Sequence, residues 1–301
     1  MSIHWQYVRH EKLEANLLEA EHSLHQSPLF CDASLAALLD AYPRDRLGIW
    51  TFGEHAEGDE KPIFGTANDL SGEDILEAVK KGRIWLNLRA TNELVSHYAD
   101  TASNIFDSLQ SRMGQRIIKR DMSVLISSPG IHVHYHLDIP LVALLQVRGT
   151  KTLHLYPETE TFAPTERLEA IALGEGDESL YFENSFDQNG QPFELKPGQG
   201  ISWPQNAPHR VQNGEMMNVS LSCEFMTWPA LFRANTLYAN GRLRRSFKAK
   251  PGRPAGVVPA TFGKVALARV FKKFERSEAV SPPRRPAFAL DLNCPGAVRA
   301  I

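Results

Sequence analysis

The sequence predicts a mainly β fold with flanking helices (α+β). After Gly114, short apolar runs recur at even spacing and are separated by Pro and Gly, which is typical of a sandwich or barrel. Before and after that stretch, longer segments with apolar residues three or four positions apart predict helices. With 301 residues, the chain is long enough to form one large domain or two.

The segment before Gly114 is predicted to be mostly helical. Its best-marked helix has Ser71 as N-cap, acidic residues in the first turn, lysines in the last turn and Gly82 as its stop, which are the usual signals at helix ends. The predicted elements are, in order, a helical region over 1–43 that includes a helix at 34–41, a strand over 47–52, the helix over 71–82, a strand over 84–88 and a helix over 92–112.

The predicted barrel strands follow, interrupted by one long connection. Residues 157–190 exceed an ordinary hairpin loop and contain a short helix after Thr165, and long loops in compact domains often bind ligands. The predicted strands cover residues 123–127, 131–137, 141–147, 151–156, 193–196, 200–203 and 216–225.

The chain is predicted to divide into a barrel with its N-terminal flanks over 1–240 and a C-terminal part over 241–301. The C-terminal part begins with a basic run at 241–253 and continues with a helix over 261–276. The basic run could bind phosphate groups, but a solvated connector is favoured, because the net charge of −2 gives no reason to expect nucleic acid as a main partner. The helix could dock on the barrel or form a homodimer.

Composition indicates a cytoplasmic protein. The three cysteines, Cys31, Cys223 and Cys294, lie far apart without CxxC spacing, as expected of thiols in a reducing compartment. No apolar run approaches the ~20 residues of a membrane span, and the N-terminus has no signal pattern. We therefore expect no membrane partner.

A group of polar residues alternates with apolar ones in the second predicted barrel strand. His132, His134, His136 and Asp138 share one face if the strand is unbroken, because side chains in a strand alternate with a period of two. Four polar groups facing a core would be costly unless something binds them. A metal ion would compensate that cost, whereas a strand facing solvent would alternate in the same way.

Two residues further along the chain favour the metal site. His209 lies in a region punctuated by Pro and Gly, where the chain returns to the barrel on a neighbouring strand, and it could supply a third ligand. Lys151 begins the strand after Gly149 and Thr150. It is either a surface lysine, the usual fate of lysines, or a buried cation that needs an anionic partner.

These segments together resemble the JmjC and cupin-like hydroxylases. The matching residues are His136-Leu-Asp138, the run Leu145 to Pro157 with Gly149-Thr-Lys151 and Tyr156-Pro157, and Pro197-Gly-Gln-Gly followed by Trp203-Pro and His209; the resemblance covers about residues 120–228. It implies a double-stranded β-helix (a cupin/JmjC-like jelly roll). It also implies an oxygenase that uses Fe(II) and 2-oxoglutarate to hydroxylate a protein side chain or another substrate.

The resemblance also implies residue roles. His136, Asp138 and His209 would bind iron, and Lys151 would bind the C5 carboxylate of 2-oxoglutarate. Ser220 is the choice for a further co-substrate contact on the last strand, where Asn218, Ser222 and Glu224 are alternatives. Dimerisation through C-terminal helices is common in such enzymes and favours a homodimer here.

Two alternatives stay open. Val133 stands where the family often has a hydroxyl residue that helps to bind 2-oxoglutarate, so a catalytically silent cupin-fold binding or regulatory protein is one. The other is a classical cupin metalloenzyme that acts on a small molecule, because His134 and His136 form an HxH pair and His209 to Asn213 has the His-x3-Asn form.

Overall fold

The computed structural model describes residues 2–52, 62–67, 70–254, 256–275 and 285–301. The strands are β1 (Ile3–His10), β2 (Ala15–His22), β3 (Gly48–Thr51), β4 (Ile63–Thr66), β5 (Ile84–Leu88), β6 (Lys119–Ser127), β7 (His132–His136), β8 (Leu141–Arg148), β9 (Lys151–Leu155), β10 (Gln191–Leu195), β11 (Gln199–Ser202), β12 (His209–Asn213), β13 (Asn218–Met226), β14 (Phe288–Leu290) and β15 (Val298–Ala300). The α-helices are α1 (Asp32–Ala41), α2 (Gly72–Lys81), α3 (Thr91–Leu94), α4 (Ala99–Met113), α5 (Thr165–Ala172), α6 (Trp228–Phe247) and α7 (Pro259–Glu275). The protein is strand-rich with flanking helices, as predicted.

The strands form two sheets. The large sheet has the order β1-β2-β11-β8-β13-β6-β5-β3-β4-β14-β15, and the small sheet has the order β10-β9-β12-β7. Leu144 and Ile201 of the large sheet pack with Leu153 and Val211 of the small sheet in one buried cluster. The two sheets therefore face each other across an apolar core, which is the usual way in which half-buried sheets exclude water.

Strand β13 shows how alternation separates two environments. Its odd-numbered residues, such as Leu221 and Cys223, pack into the core on the helical side of the large sheet. Ser222 and Glu224 point to the opposite side and line the space between the sheets. The side-chain period of two thus places polar groups between the two sheets without interrupting the helical-side core.

The prediction of helix over residues 1–43 is wrong for the first half of that region. Residues 3–22 form the hairpin β1–β2, in which Ile3 pairs with His22 and His10 with Ala15. β2 also pairs with β11, so the hairpin extends the large sheet. Leu17 and Leu18 are both buried, on opposite sides of β2. A strand covered on both faces lacks the apolar–polar alternation that would have revealed it. The helix predicted at 34–41 is confirmed by α1.

The predicted helix over 71–82 is confirmed, and the Ser71 side chain accepts a hydrogen bond from the backbone N–H of Asp74 at 3.1 Å. The predicted helix over 92–112 is broken. Val95 is extended, with φ −131° and ψ 105°, so α3 and α4 are separate. The apolar positions still face the core, which explains why their spacing suggested one continuous helix.

The basic run 241–253, predicted to be a solvated connector, begins as part of a helix and carries ion pairs. Helix α6 continues through the predicted boundary at residue 240 and ends at Phe247. Arg244 forms an ion pair with the fully buried Glu169 at 2.7 Å, and Arg245 pairs with Glu175. Helix α6 therefore holds the long connection over 157–190 by charge pairs. The division into two domains and the homodimer both stay predictions.

Candidate metal centre

Three predicted ligands come together between the two sheets. His136 is the last residue of β7 and His209 is the first residue of β12, and the two are direct neighbours in antiparallel register. Asp138 follows β7 after one residue. One nitrogen of each histidine and one oxygen of the aspartate lie within 4.8 Å of one another. The site was predicted from sequence spacing, and the structure places all three residues together.

Hydrogen bonds fix which nitrogen of each histidine faces the site. The Nδ1–H of His136 donates to the backbone oxygen of His134 at 2.7 Å, and the Nδ1–H of His209 donates to the backbone oxygen of Ala207 at 3.1 Å. Each Nε2 is then left with its lone pair, as a metal ligand requires. The Nε2 of His209 lies 3.4 Å from Oδ2 of Asp138. The donor atoms therefore fit a metal of the kind that binds imidazole and carboxylate.

Of the three candidate ligands, His209 is buried, and His136 and Asp138 are half-buried. Burial raises the pKa of Asp138, an effect opposed by His136 and Arg89. Burial also lowers the pKa of His209 well below its usual value. Both effects disfavour the charged forms, which are the Asp138 carboxylate and the His209 imidazolium. A divalent cation among them would reverse the cost for the carboxylate and would need the neutral imidazole that burial provides.

A bulge changes the predicted face of β7. Val211 pairs with Val133 while His209 pairs with His136, so three residue steps in β7 oppose two in β12. Such a bulge shifts the alternation of side chains. Val133, His134, His136 and Asp138 line the cavity, whereas His132 does not. The prediction that all four polar residues share one face is therefore wrong for His132, and the condition that failed is the unbroken strand.

His134 lies beside the triad but is not part of it. Its Nε2 is 2.9 Å from Oγ of Ser179, and its Nδ1 is buried without a partner among the described residues. Burial lowers the pKa of His134 to about 3, and the neighbouring His136 lowers it by a smaller amount. Asn213, the other residue of the classical cupin motif, donates to Ser127 and to the backbone of Ser128. Neither residue is placed as a ligand.

Lys151 is buried and faces the same cavity. Its side chain is only 6% exposed, and it forms no ion pair or hydrogen bond with the side chains that the structure describes. Burial lowers its pKa to about 7. A buried ammonium group without a partner is costly, so Lys151 is poised for an anion that enters from the cavity.

Ser220 is placed away from the cavity lining. It is fully buried, and its hydroxyl donates to Oε1 of Gln146 at 2.7 Å. Ser222 and Glu224, two and four residues further along β13, line the cavity instead. A co-substrate role for Ser220 stays a prediction. Ser222 lies in the part of the cavity lining where Ser220 was expected.

Sequence reasoning missed a polar segment that covers the open edge of β7. The backbone N–H of Leu137 donates to the oxygen of Glu178, and that of Leu180 donates to the oxygen of Tyr135. The guanidinium of Arg167 donates to the backbone oxygens of Asp177 and Ser179. The only sequence signal was the length and polarity of the 157–190 connection, and nothing in it indicated residues 177–180.

The cavity has a volume of about 670 Å³. Its lining includes Lys151 and the apolar side chains of Leu144, Leu153 and Val211. Three aromatic side chains also line the cavity: Trp50 on β3, Phe52 directly after β3, and Trp85 on β5. Burial raises the pKa of Glu178 to about 8 and that of Glu224 to about 7. The site therefore combines a ligand triad, a buried cation and several carboxyl groups.

Comparisons with known proteins give structural neighbours only. No family model and no curated protein matches the chain. The ribosomal oxygenase YcfD from Escherichia coli, solved with cobalt and succinic acid, is 17% identical over 84% of this chain and 59% of its own, with a TM-score of 0.42. Its structure with cobalt and 2-oxoglutarate is 18% identical over 84% of this chain and 60% of its own, with a TM-score of 0.41. The DMSP lyase DddQ from Ruegeria pomeroyi is 13% identical over 36% of this chain and 38% of its own, with a TM-score of 0.23.

This chain thus spans about three fifths of the length of YcfD. The low identities and TM-scores leave its activity to be argued from its own residues. In the described part of the chain, no helix is long and apolar enough to cross a membrane.

Proposed function

We propose that this protein is an Fe(II)- and 2-oxoglutarate-dependent oxygenase that hydroxylates a protein side chain or another substrate. The observation that carries the proposal is the pairing of the His136, Asp138 and His209 triad with the buried, unpartnered Lys151 in one cavity. A triad alone would suit many metal proteins. The added ammonium group selects a co-substrate with a carboxylate remote from the metal.

The strand order supports a double-stranded β-helix. From β6 to β13 the chain alternates between the sheets, except that β9 and β10 are both in the small sheet. The eight strands give the orders β11-β8-β13-β6 and β10-β9-β12-β7, which is how a jelly roll arranges eight strands in two facing sheets. The ligands lie at the ends of two neighbouring strands of the small sheet, inside the barrel.

Each residue has a role in this proposal. The Nε2 atoms of His136 and His209 and the carboxylate of Asp138 would hold iron and leave its remaining positions open. When bound, iron and 2-oxoglutarate supply the activation of O2. Lys151 would anchor the far carboxylate of 2-oxoglutarate by a charge-assisted hydrogen bond, and the apolar residues around it would exclude water.

The test measures iron binding, 2-oxoglutarate binding and succinate formation on the same protein. Asp138→Ala should abolish iron-dependent succinate formation. Lys151→Met should weaken 2-oxoglutarate far more than iron, and Lys250→Met, which changes an exposed lysine, is the matched control. Succinate formation that survives Asp138→Ala, or equal loss of both ligands in Lys151→Met, would contradict the proposal.

A catalytically silent binding protein is the second candidate, and Val133 favours it. This residue lines the cavity and packs with the apolar cluster between the sheets, so it offers no hydroxyl to a co-substrate. This candidate predicts that iron and 2-oxoglutarate bind but that no succinate forms with any substrate pool.

A further inference from the structure

One short turn contacts two of the three candidate metal ligands. The backbone N–H of Ala207 donates to the oxygen of Pro204 at 3.1 Å, which closes a turn just before β12. The backbone oxygen of Ala207 accepts the hydrogen bond from Nδ1 of His209. The side chain of Asn206 donates through Nδ2 to the backbone oxygen of Asp138 at 2.8 Å. The turn therefore joins His209 to Asp138, and the proposed function leaves Asn206 without a role.

The orientation of the Asn206 amide follows from the chemistry of its two neighbours. Its Oδ1 accepts from Nε of Arg233 at 2.9 Å, and its Nδ2 faces the backbone oxygen of Asp138. A guanidinium group can only donate and a backbone oxygen can only accept, so the flipped amide would lose both hydrogen bonds. Arg233 is itself held by the carboxylate of Glu158 and by the backbone oxygen of Pro254. The Asn206 amide therefore has one stable orientation.

The backbone of Asn206 offers a simpler reason for its presence. Its φ of 66° lies in the left-handed region, which asparagine tolerates and glycine adopts freely. The turn alone would thus explain an asparagine or a glycine at this position. It would not explain why the side chain, which is only 2% exposed, connects Asp138 to Arg233. Loss of either bond would leave a buried polar atom without its partner, which is costly.

Resting on the metal centre of the proposed function, we propose that Asn206 is a positioning residue for Asp138. The pairing of β7 with β12 fixes His136 beside His209 but ends at His136. Asp138 follows on the loop after β7, so strand pairing does not fix its position. The Asn206 amide supplies that constraint, because it ties the backbone of Asp138 to the turn that also holds His209. Arg233 keeps the amide in the orientation that does so.

The experiment measures Co(II) binding by visible absorption in the unaltered protein and in two variants of Asn206. Asn206→Asp keeps the size of the side chain and an acceptor for Arg233, but it replaces the donor toward Asp138 by an oxygen atom. Asn206→Gly keeps the left-handed turn and removes the side chain. We expect both variants to bind Co(II) roughly 10- to 100-fold more weakly, as is usual when a residue that holds a metal ligand is altered. At saturating Co(II), their spectra should differ from that of the unaltered protein, because the Asp138 carboxylate is displaced.

The matched control is Asn240→Asp. Asn240 is also fully buried, and its Nδ2 donates to a backbone oxygen, that of Gly252, at 3.1 Å. It lies on α6, outside the cavity lining. This variant should bind Co(II) with the affinity and spectrum of the unaltered protein, even if its free energy of unfolding, measured in urea without metal, is lower. If Asn206→Asp does not fold, Asn206→Gly decides the comparison.

Unchanged Co(II) affinity and spectrum in Asn206→Gly would assign Asn206 to the turn alone and overturn the inference. An equal loss of affinity in Asn240→Asp would also overturn it, because the loss would then follow from lower stability. Failure of both Asn206 variants to fold without metal would show that the side chain serves the whole fold, with the same consequence. If the unaltered protein binds no Co(II), the metal centre is wrong, and the oxygenase proposal fails together with this inference.

Discussion

The lowered pKa of Lys151 makes a quantitative prediction about co-substrate binding. Burial lowers this pKa from 10.5 to about 7, so the lysine of the free protein loses its proton above neutral pH. An anion that binds beside it favours the ammonium form and raises the pKa again. Binding of 2-oxoglutarate should therefore take up a proton and weaken as the pH rises from 7 to 9.

The size of the effect follows from the fraction of Lys151 that is charged. With a pKa of about 7, roughly half of the free protein carries the charge at pH 7 and about one per cent at pH 9. The dissociation constant should therefore rise about 50-fold over this range. At pH 8 about 0.9 proton should be taken up for each 2-oxoglutarate bound.

Calorimetric titrations of the iron-loaded protein, made without oxygen in two buffers of different ionisation enthalpy, measure the proton uptake directly. Lys151→Arg is the matched control, because a guanidinium group stays charged throughout this range. It should bind with little pH dependence. Wild-type binding without proton uptake at pH 8, or the same uptake in Lys151→Arg, would refute the assignment of Lys151 to the co-substrate carboxylate.

Three further predictions concern the metal, the long connection and assembly. His209→Ala should lose tight iron binding in equilibrium dialysis, and retention of one iron per chain would contradict the ligand set. Arg244→Ala should lower the free energy of unfolding, measured in urea, by about 3–5 kcal/mol, because it leaves the buried Glu169 unpaired. Arg245 is more exposed, so Arg245→Ala should lower it by less than about 1 kcal/mol. Equal losses in the two variants would contradict this difference. Truncation after residue 255 should halve the sedimenting mass if α7 forms a homodimer, and an unchanged mass would exclude that interface.

Local spacing predicted that His136, Asp138 and His209 lie together, because they belong to segments that are marked in the sequence. His136 and Asp138 are two residues apart, and Lys151 and His209 begin strands after turn signals. Strand period and turn chemistry are local properties. They predicted that these four residues lie near one another, without knowledge of the register between strands, and all four line one cavity.

Features that depend on pairing between distant segments could not be predicted. The bulge in β7 between Val133 and His136 moved His132 away from the cavity, and bulges arise from the register of two strands rather than from one of them. Glu178 reached the site because Leu137 and Arg167 bind its segment. The partners of Arg244 and Arg245 lie 75 and 70 residues away in the chain, so their sequence alone indicated a solvated basic run.

In the proposed function, one cavity binds iron and 2-oxoglutarate together. Absorption spectra recorded without oxygen, as Fe(II) and then 2-oxoglutarate are added, test it most directly. We expect a visible charge-transfer band that needs both additions, persists in Lys250→Met and is lost in Asp138→Ala. A protein that binds Fe(II) but gives no band at saturating 2-oxoglutarate would contradict it.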